Sequence, residues 1–367
     1  MVLKSIALTN FKNIASADLE FSPKVNCLLG DNGMGKSNLL DAIHYLSFTK
    51  SYGRLPDSML IRRGEDFAIL KGLYARGDDS EEISAGLRRD RRKSFRRGGK
   101  EYQKISTHIG LLPAVMVAPA DLALVTESGE ERRRFADMII SQGDRAYLDA
   151  LMRYNRLLEQ RNRMLRDGHA DPALLESVDM MMDAQAALIV PAREAFTERL
   201  RGIFDRYYRL IAGDAESVDM AYMASTAGHA SLLDALGHAR ERDRVMRHTT
   251  VGPHRDDIAF TLGGMPVRAT ASQGQTKTLT IALRLAQYEF LAEATGLKPL
   301  LLLDDIFDKL DARRVERIVA TVSSDRFGQI FITDTNRKHL DEIMDSCGPD
   351  YRMWHVTDGA YSPIVAR

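Results

Sequence analysis

The feature that most constrains this chain is a glycine-rich turn set between an apolar run and a helical pattern. Val25 to Leu29 reads as a buried strand, and Lys36 to about Leu46 reads as a helix with Leu39, Leu40, Ile43 and Leu46 on one face. Between them, Gly30, Asp31, Asn32, Gly33, Met34, Gly35, Lys36 and Ser37 fit G-x-x-x-x-G-K-[ST] at every fixed position. Glycines let the backbone wrap closely enough for its N–H groups to face phosphate oxygens, and the helix N-terminus adds partial positive charge. Lys36 is expected to reach the β- and γ-phosphates of a nucleotide, and Ser37 to offer an oxygen to Mg²⁺. The bland alternative, a chance glycine-rich turn, does not account for the strand before it or the helix after it.

A second element lies near the other end of the chain. Pro299 to Asp305 is an apolar run closed by two acids, Asp304 and Asp305. Adjacent buried carboxylates repel and need a cation or a proton. Asp304 suits a Mg²⁺ contact, and Asp305 suits polarising an attacking water. Alone, the segment could be a strand running into an acidic loop; with the phosphate loop it forms half of one site. The two ends of the chain are therefore predicted to meet in one sheet. The expected organisation is an N-terminal lobe over residues 1–128, a helical lobe over 129–248 and a C-terminal lobe over 249–367, with the first and last forming one head.

Within the head, residues 67–105 read as a β-meander and Val115 to Val117 as a short strand. The helical reading runs from about Glu130 to Met246. Leu148, Leu151, Leu158 and Leu165 mark its expected seam, with Asn155 and Asn162 at the alternate positions. A break is expected at Gly168 to Pro172 and an interruption at Pro191. A helix follows from Gln275 to Ala294, a short one around Arg313 to Thr321, and a strand from Gln329 to Thr333.

Ser272, Gln273, Gly274 and Gln275 stand immediately before the helix that leads to Asp304. A serine-glycine cap is by itself a common structural device. In this position Ser-x-Gly-Gln resembles the signature motif of ATP-binding-cassette ATPases, a second phosphate site that a partner molecule can present.

Charge and composition narrow the classes. Lys+Arg and Asp+Glu are equal at 51 each, so a nucleic-acid partner would have to be met by local clusters. The densest runs from Arg88 to Lys100; as a charged β-edge it has an ordinary protective role as well. Arg132, Arg133 and Arg134 fall near a helix start, where they need acids or a phosphate to compensate. Arg153, Arg156, Arg161, Arg163 and Arg166 decorate the helical arm. Cys27 and Cys347 lack metal-type spacing, no stretch is long and apolar enough for a membrane span, and the chain enters a strand pattern without a leader. A cytoplasmic protein is expected.

Taken together the chain resembles the RecF family of bacterial recombination mediators, relatives of the SMC-type ATPases. The supporting strings are Leu8 to Asn13, Ala118 to Val125, Glu131 to Phe135, Thr250 to Asp257, and Leu310-Asp311 at the D-loop place. The resemblance implies an α/β ABC/SMC-type ATPase head with mixed sheets and an inserted helical lobe. It also implies weak ATPase activity, an ATP-dependent homodimer gripping duplex or gapped DNA, and action with RecO and RecR to load RecA in recombination, replication and the SOS response. Asp311 would approach the partner's nucleotide. Two departures stand out: Asp305 replaces the glutamate common in cassette proteins, and Thr333, Asp334 and Thr335 stand where many carry a switch histidine. His254 and Arg255 could act near the nucleotide or as a latch. The other readings weighed are a transporter-type cassette subunit and a small-substrate P-loop kinase. The inserted lobe speaks against the first, and Ser272 to Gln275 has no role in the second.

Overall fold

The computed structural model describes residues 1–168, 171–213, 216–308, 310–337, 340–341 and 350–364; Cys347, and His169 and Ala170 of the expected break, lie outside them. In chain order the elements begin with β1 (Val2–Phe11), β2 (Ile14–Glu20), β3 (Val25–Leu29), α1 (Lys36–Phe48), β4 (Phe67–Arg76), β5 (Asp79–Arg88), β6 (Ser94–Arg97), β7 (Lys100–Glu101) and β8 (Ala114–Val117). There follow α2 (Leu122–Thr126), α3 (Gly129–Gly143), α4 (Arg145–Asp167), α5 (Pro172–Ala212), β9 (Val218–Met223), α6 (Leu232–Met246), β10 (Asp257–Leu262), β11 (Met265–Pro266), α7 (Val267–Thr270) and α8 (Gln273–Thr295). The last are β12 (Leu300–Asp304), α9 (Ala312–Val322), β13 (Ile330–Asp334), β14 (Tyr351–Thr357) and β15 (Ala360–Ile364). They fall into two compact units, residues 1–121 with 287–367, and residues 122–286.

The first unit holds two sheets. One is antiparallel, in the order β2-β1-β4-β5-β6-β7; the other has the order β15-β14-β3-β13-β12-β8. In the second, β14, β3, β13, β12 and β8 run parallel and β15 turns back on β14. Parallel strands covered on both faces read as unbroken apolar runs rather than alternations. β12 and β13 are buried along their whole length, as is β3 up to its last residue. α1 packs against both β4 and β12, which explains why most of its sides are apolar and buried. The chain ends do meet in one sheet, where β3 pairs with β13 and β14; Gln329 also binds the backbone of Leu3, donating to its carbonyl and accepting from its N–H, and Phe21 packs edge-on against Phe331 and Trp354. The C-terminal hairpin β14–β15 was absent from the sequence reading.

The second unit is helical around a small sheet in the order β11-β10-β9. Here the structure corrects the sequence reading in three places. β9 interrupts the expected helical run, because Val218 and Met220 face the core while the strand pairs antiparallel with β10. α5 runs through Pro191 without ending. Pro191 and Ala187, whose carbonyl loses its helical donor, are both exposed, so water can satisfy the freed group. The seam of α4 keeps Leu165 of the leucine heptad but otherwise runs along Tyr147, Ala150, Tyr154 and Arg161, while Leu148, Leu151 and Leu158 are half-buried.

Arg161 is therefore no surface cation. Its side chain is fully buried, and Nε donates to Asp179 at 2.6 Å while Nη1 donates to Asp243 at 2.6 Å and to Thr249 at 3.0 Å. A buried guanidinium must be paired, and this pairing ties α4, α5 and α6 together. Arg132 is likewise inside, held by both carboxylate oxygens of Asp257, while Arg134 pairs with Glu130 and Glu131. Acids thus supply the compensation that cations at the start of α3 require. His254 is a latch within this unit: Tyr154 and the Thr249 carbonyl bracket its ring, and burial lowers its pKa to about 4.

Candidate nucleotide site

The site grows from the carboxyl edge of the parallel sheet. β13 lies between β3 and β12, so the turn leaving β3 and the acids ending β12 emerge one strand apart, where ligands of open α/β sheets bind. Gly33 and Gly35 have φ of +83° and +110°, conformations that side chains rarely adopt. Gly30 is required for a different reason, since a Cβ there would sit 2.4 Å from the Val356 carbonyl oxygen.

The loop's carbonyls are tied down from outside. Met34 O accepts from Asn13 Nδ2 at 3.2 Å and from the Gly359 N–H at 2.8 Å, and Gly35 O accepts from the Tyr361 hydroxyl at 3.0 Å. Asn38 donates to Asn13 and fixes its amide. A carbonyl already bonded on that side is held from rotating toward an anion, which leaves the loop's N–H groups to meet one. The sequence reading missed these braces. Asn13 carried a signal, as it closes the family-like string Leu8 to Asn13, but Gly359 and Tyr361 sit on the unread hairpin. Removing one neutral hydrogen bond costs about 0.5–1.5 kcal/mol. Tyr361→Phe is therefore expected to weaken ATP binding about 2- to 10-fold with little change in fold. Titration calorimetry beside a thermal melt checks this, and an unchanged dissociation constant would dismiss the brace.

Lys36 is almost buried, and its Nζ donates to the carbonyls of Gly30 at 2.6 Å and Asp31 at 3.0 Å. Beneath it, Ser37 Oγ donates to Asp304 Oδ1 at 2.7 Å, and Thr333 Oγ1 donates to the same oxygen at 2.8 Å. Burial pushes the Asp304 carboxyl above the ordinary aspartate range; the two hydroxyl bonds and Lys36 oppose this, and Asp305 adds to it. The Asp305 N–H donates to Thr333 Oγ1 at 3.0 Å, and its φ of +50° is uncommon for a residue with a side chain. Thr333, at the place of a switch histidine, thus holds the acid pair. It is buried and spends its hydroxyl on both aspartates.

One cleft gathers Asn32, Gly33, Gly35, Lys36, Ser37, Asn38 and Asp305. Asp304 lies beneath it through Ser37, and Gly30, Asp31 and Met34 shape the loop through their backbones. Asp311 is elsewhere in use: it caps α9 by accepting from the Arg314 N–H at 3.0 Å. Ser272 to Gln275 belong to the second unit. They form a reciprocal cap, in which Ser272 Oγ accepts from the Gln275 N–H at 3.2 Å and Gln275 Oε1 accepts from the Ser272 N–H at 2.8 Å. Ser272 and Gln273 are exposed at the start of α8.

Known proteins share this fold. The RecF/RecN/SMC N terminal domain family matches residues 2–352. The DNA replication and repair protein RecF of Parabacteroides distasonis is 48% identical over 364 residues, covering 99% of this chain and 100% of that protein. A solved structure of the recombination mediator protein RecF with ATP, in the RecFOR pathway, superposes with a TM-score of 0.89 at 30% identity, over 99% of this chain and 98% of that one. The Smc head domain of Pyrococcus furiosus, bound to the C-terminal domain of ScpA, shares the fold alone, with a TM-score of 0.58 at 16% identity over 99% of this chain and 96% of that one. The chain thus has an ABC/SMC-type ATPase head and belongs to the RecF family.

Proposed function

We propose that this protein is an ATP-controlled switch of DNA replication and repair, in which a second copy of the chain closes over the bound nucleotide. The observation that carries the reading is the join of Ser37 to Asp304 under the phosphate loop, with Asp305 on the cleft wall. It brings the two distant halves of a hydrolytic site to one point.

As a member of the RecF family the protein is an ABC/SMC-class ATPase, and ATP is its nucleotide. Loop amides and Lys36 hold the phosphates, and Asp305 orients the attacking water. The hydroxyl of Ser37 and the desolvated carboxylate of Asp304 are hard oxygen donors, which fits Mg²⁺. The ion, held by these two residues, would neutralise charge on the phosphates during transfer. The aspartate at position 305 reaches less far than a glutamate, which agrees with slow turnover suited to a switch. A water-positioning carboxylate contributes about 10²–10⁴-fold. Asp305→Asn is thus expected to cut single-turnover hydrolysis at least about 100-fold while ATP still binds. Hydrolysis at the normal rate would remove Asp305 from this role.

The exposed Ser272 cap at the start of α8 supplies the partner's half of the site, and Asp311 lies at the D-loop place. Arg88, Arg91, Arg92, Arg96 and Lys100 are exposed in and around β5–β7, and they suit contact with a DNA backbone. Within the same run Lys93 is committed to Asp57 and Arg97 to Glu81. The fuller reading is a homodimer that clamps duplex or gapped DNA and, with RecO and RecR, helps RecA load. Its setting is the cytoplasm. Among the described residues no helix is long and apolar enough to cross a membrane.

A further inference from the structure

Among the described residues, one group of side chains outside the nucleotide site has the composition of a metal centre: His229, Asp234 and His238, in the second unit. It is built by the start of α6. Ser231 caps the helix by accepting from the Asp234 N–H, which fixes Asp234 in the first turn. His238 follows one turn later on the same face, the i, i+4 spacing at which two side chains on a helix meet. His229 comes from the turn before the cap, where its N–H donates to the Thr226 carbonyl at 3.0 Å and Gly228 takes a φ of +86°. The three donors thus arise from one short segment, already folded around a common point.

The distances discriminate further. His229 Nδ1 lies 3.2 Å from Asp234 Oδ2, and His238 Nδ1 lies 3.5 Å from Asp234 Oδ1. The three residues offer donor atoms that all lie within 4.8 Å of one another, a spread that one cation bound at about 2.1 Å gathers with small side-chain rotations. The other polar contacts are the Ala230 N–H donating to Asp234 Oδ2 at 3.3 Å and His238 Nδ1–H donating to the Asp234 carbonyl at 3.0 Å, which leaves Nε2 as the His238 nitrogen with a lone pair for a cation. The two rings stand 5.2 Å apart between centroids.

We infer that His229, Asp234 and His238 form a binding site for a borderline-soft divalent cation of the Zn²⁺ type, separate from the nucleotide's Mg²⁺. Two imidazoles and one carboxylate favour zinc, nickel or copper, whereas Mg²⁺ favours oxygen donors such as Ser37 and Asp304. The exposure of His238 leaves space for water as a fourth ligand. Once bound, the cation would pin the Thr226–Ser231 turn to α6. The inference does not depend on how the protein uses ATP.

The test is Zn²⁺ titration of tag-free, chelator-stripped full-length protein without nucleotide, followed by calorimetry and by the visible bands of Co²⁺ as a stand-in. About one equivalent is expected to bind. His229→Ala and His238→Ala should each weaken binding at least about 10-fold, and the double variant should abolish it. These positions are surface ones, so the thermal melt of metal-free protein should not move. Lys36→Met should bind Zn²⁺ as the parent does. Absence of binding at about 100 μM Zn²⁺, or an unchanged affinity in the double variant, overturns the assignment.

Discussion

Lys36→Met is expected to lower ATP affinity by about 10- to 150-fold. Among the described residues the ammonium is the one side-chain cation lining the cleft, and a hydrogen bond to a charged partner contributes about 1.5–3 kcal/mol. Methionine keeps much of the volume and the unbranched shape, so α1 should remain packed against β4 and β12. In the parent chain Lys36 also bonds the carbonyls of Gly30 and Asp31, so some loosening of the loop is part of the effect. Binding of a fluorescent ATP analogue, read beside far-ultraviolet circular dichroism, separates lost affinity from lost fold. Affinity within twofold of the parent would show that the phosphates are held elsewhere.

Ser272→Arg should do the reverse, leaving ATP binding by the single chain near normal while suppressing ATP-dependent dimerisation. Arginine removes the hydroxyl that accepts from Gln275, adds bulk to an exposed helix start and places a cation at the positive end of the helix dipole. Dimer formation should weaken about 100-fold or more, equivalent to about 2.8 kcal/mol. Sedimentation of the parent chain with and without ATP sets the reference. A mixture of Ser272→Arg and Lys36→Met chains can rebuild one of its two shared sites, so dimer should reappear in the mixture and hydrolysis should return to at most half. A parent protein that stays monomeric with ATP would end the shared-site reading, and so would a Ser272→Arg protein that dimerises normally. In the parent dimer, DNA retained against rising salt then measures how many phosphates are gripped.

The parts of the site legible in the sequence were those whose cause is local. Gly30 to Ser37 is a continuous segment in which each glycine answers to a backbone angle or a close approach. Asp304 and Asp305 announce themselves because two acids at the end of a buried run are costly. The braces Tyr361 and Gly359 depend on which strands lie side by side, and nothing near Tyr351 to Ile364 marks that hairpin as a neighbour of β3. Thr333 is similar: its place opposite Asp304 follows from strand register, not from its own surroundings. The same limit acts in the second unit. The leucine heptad of α4 gave a helix but the wrong seam, since a polar stripe containing Arg161 is buried once Asp179 and Asp243 arrive from other helices. Pro191 reads as an interruption because the sequence does not say which side of a helix faces water.

The sheet order has a consequence for how the protein is made. β3 carries the phosphate loop, yet its two neighbours, β13 and β14, come from the far end of the chain. While the N-terminal half emerges from the ribosome, β3 has no strand to pair with in its own sheet and Met34 has no Gly359 to hold it. The glycines are then free to roam, and nothing fixes the loop for a triphosphate. The capacity to hold nucleotide should therefore appear only once β13 to β15 have been made.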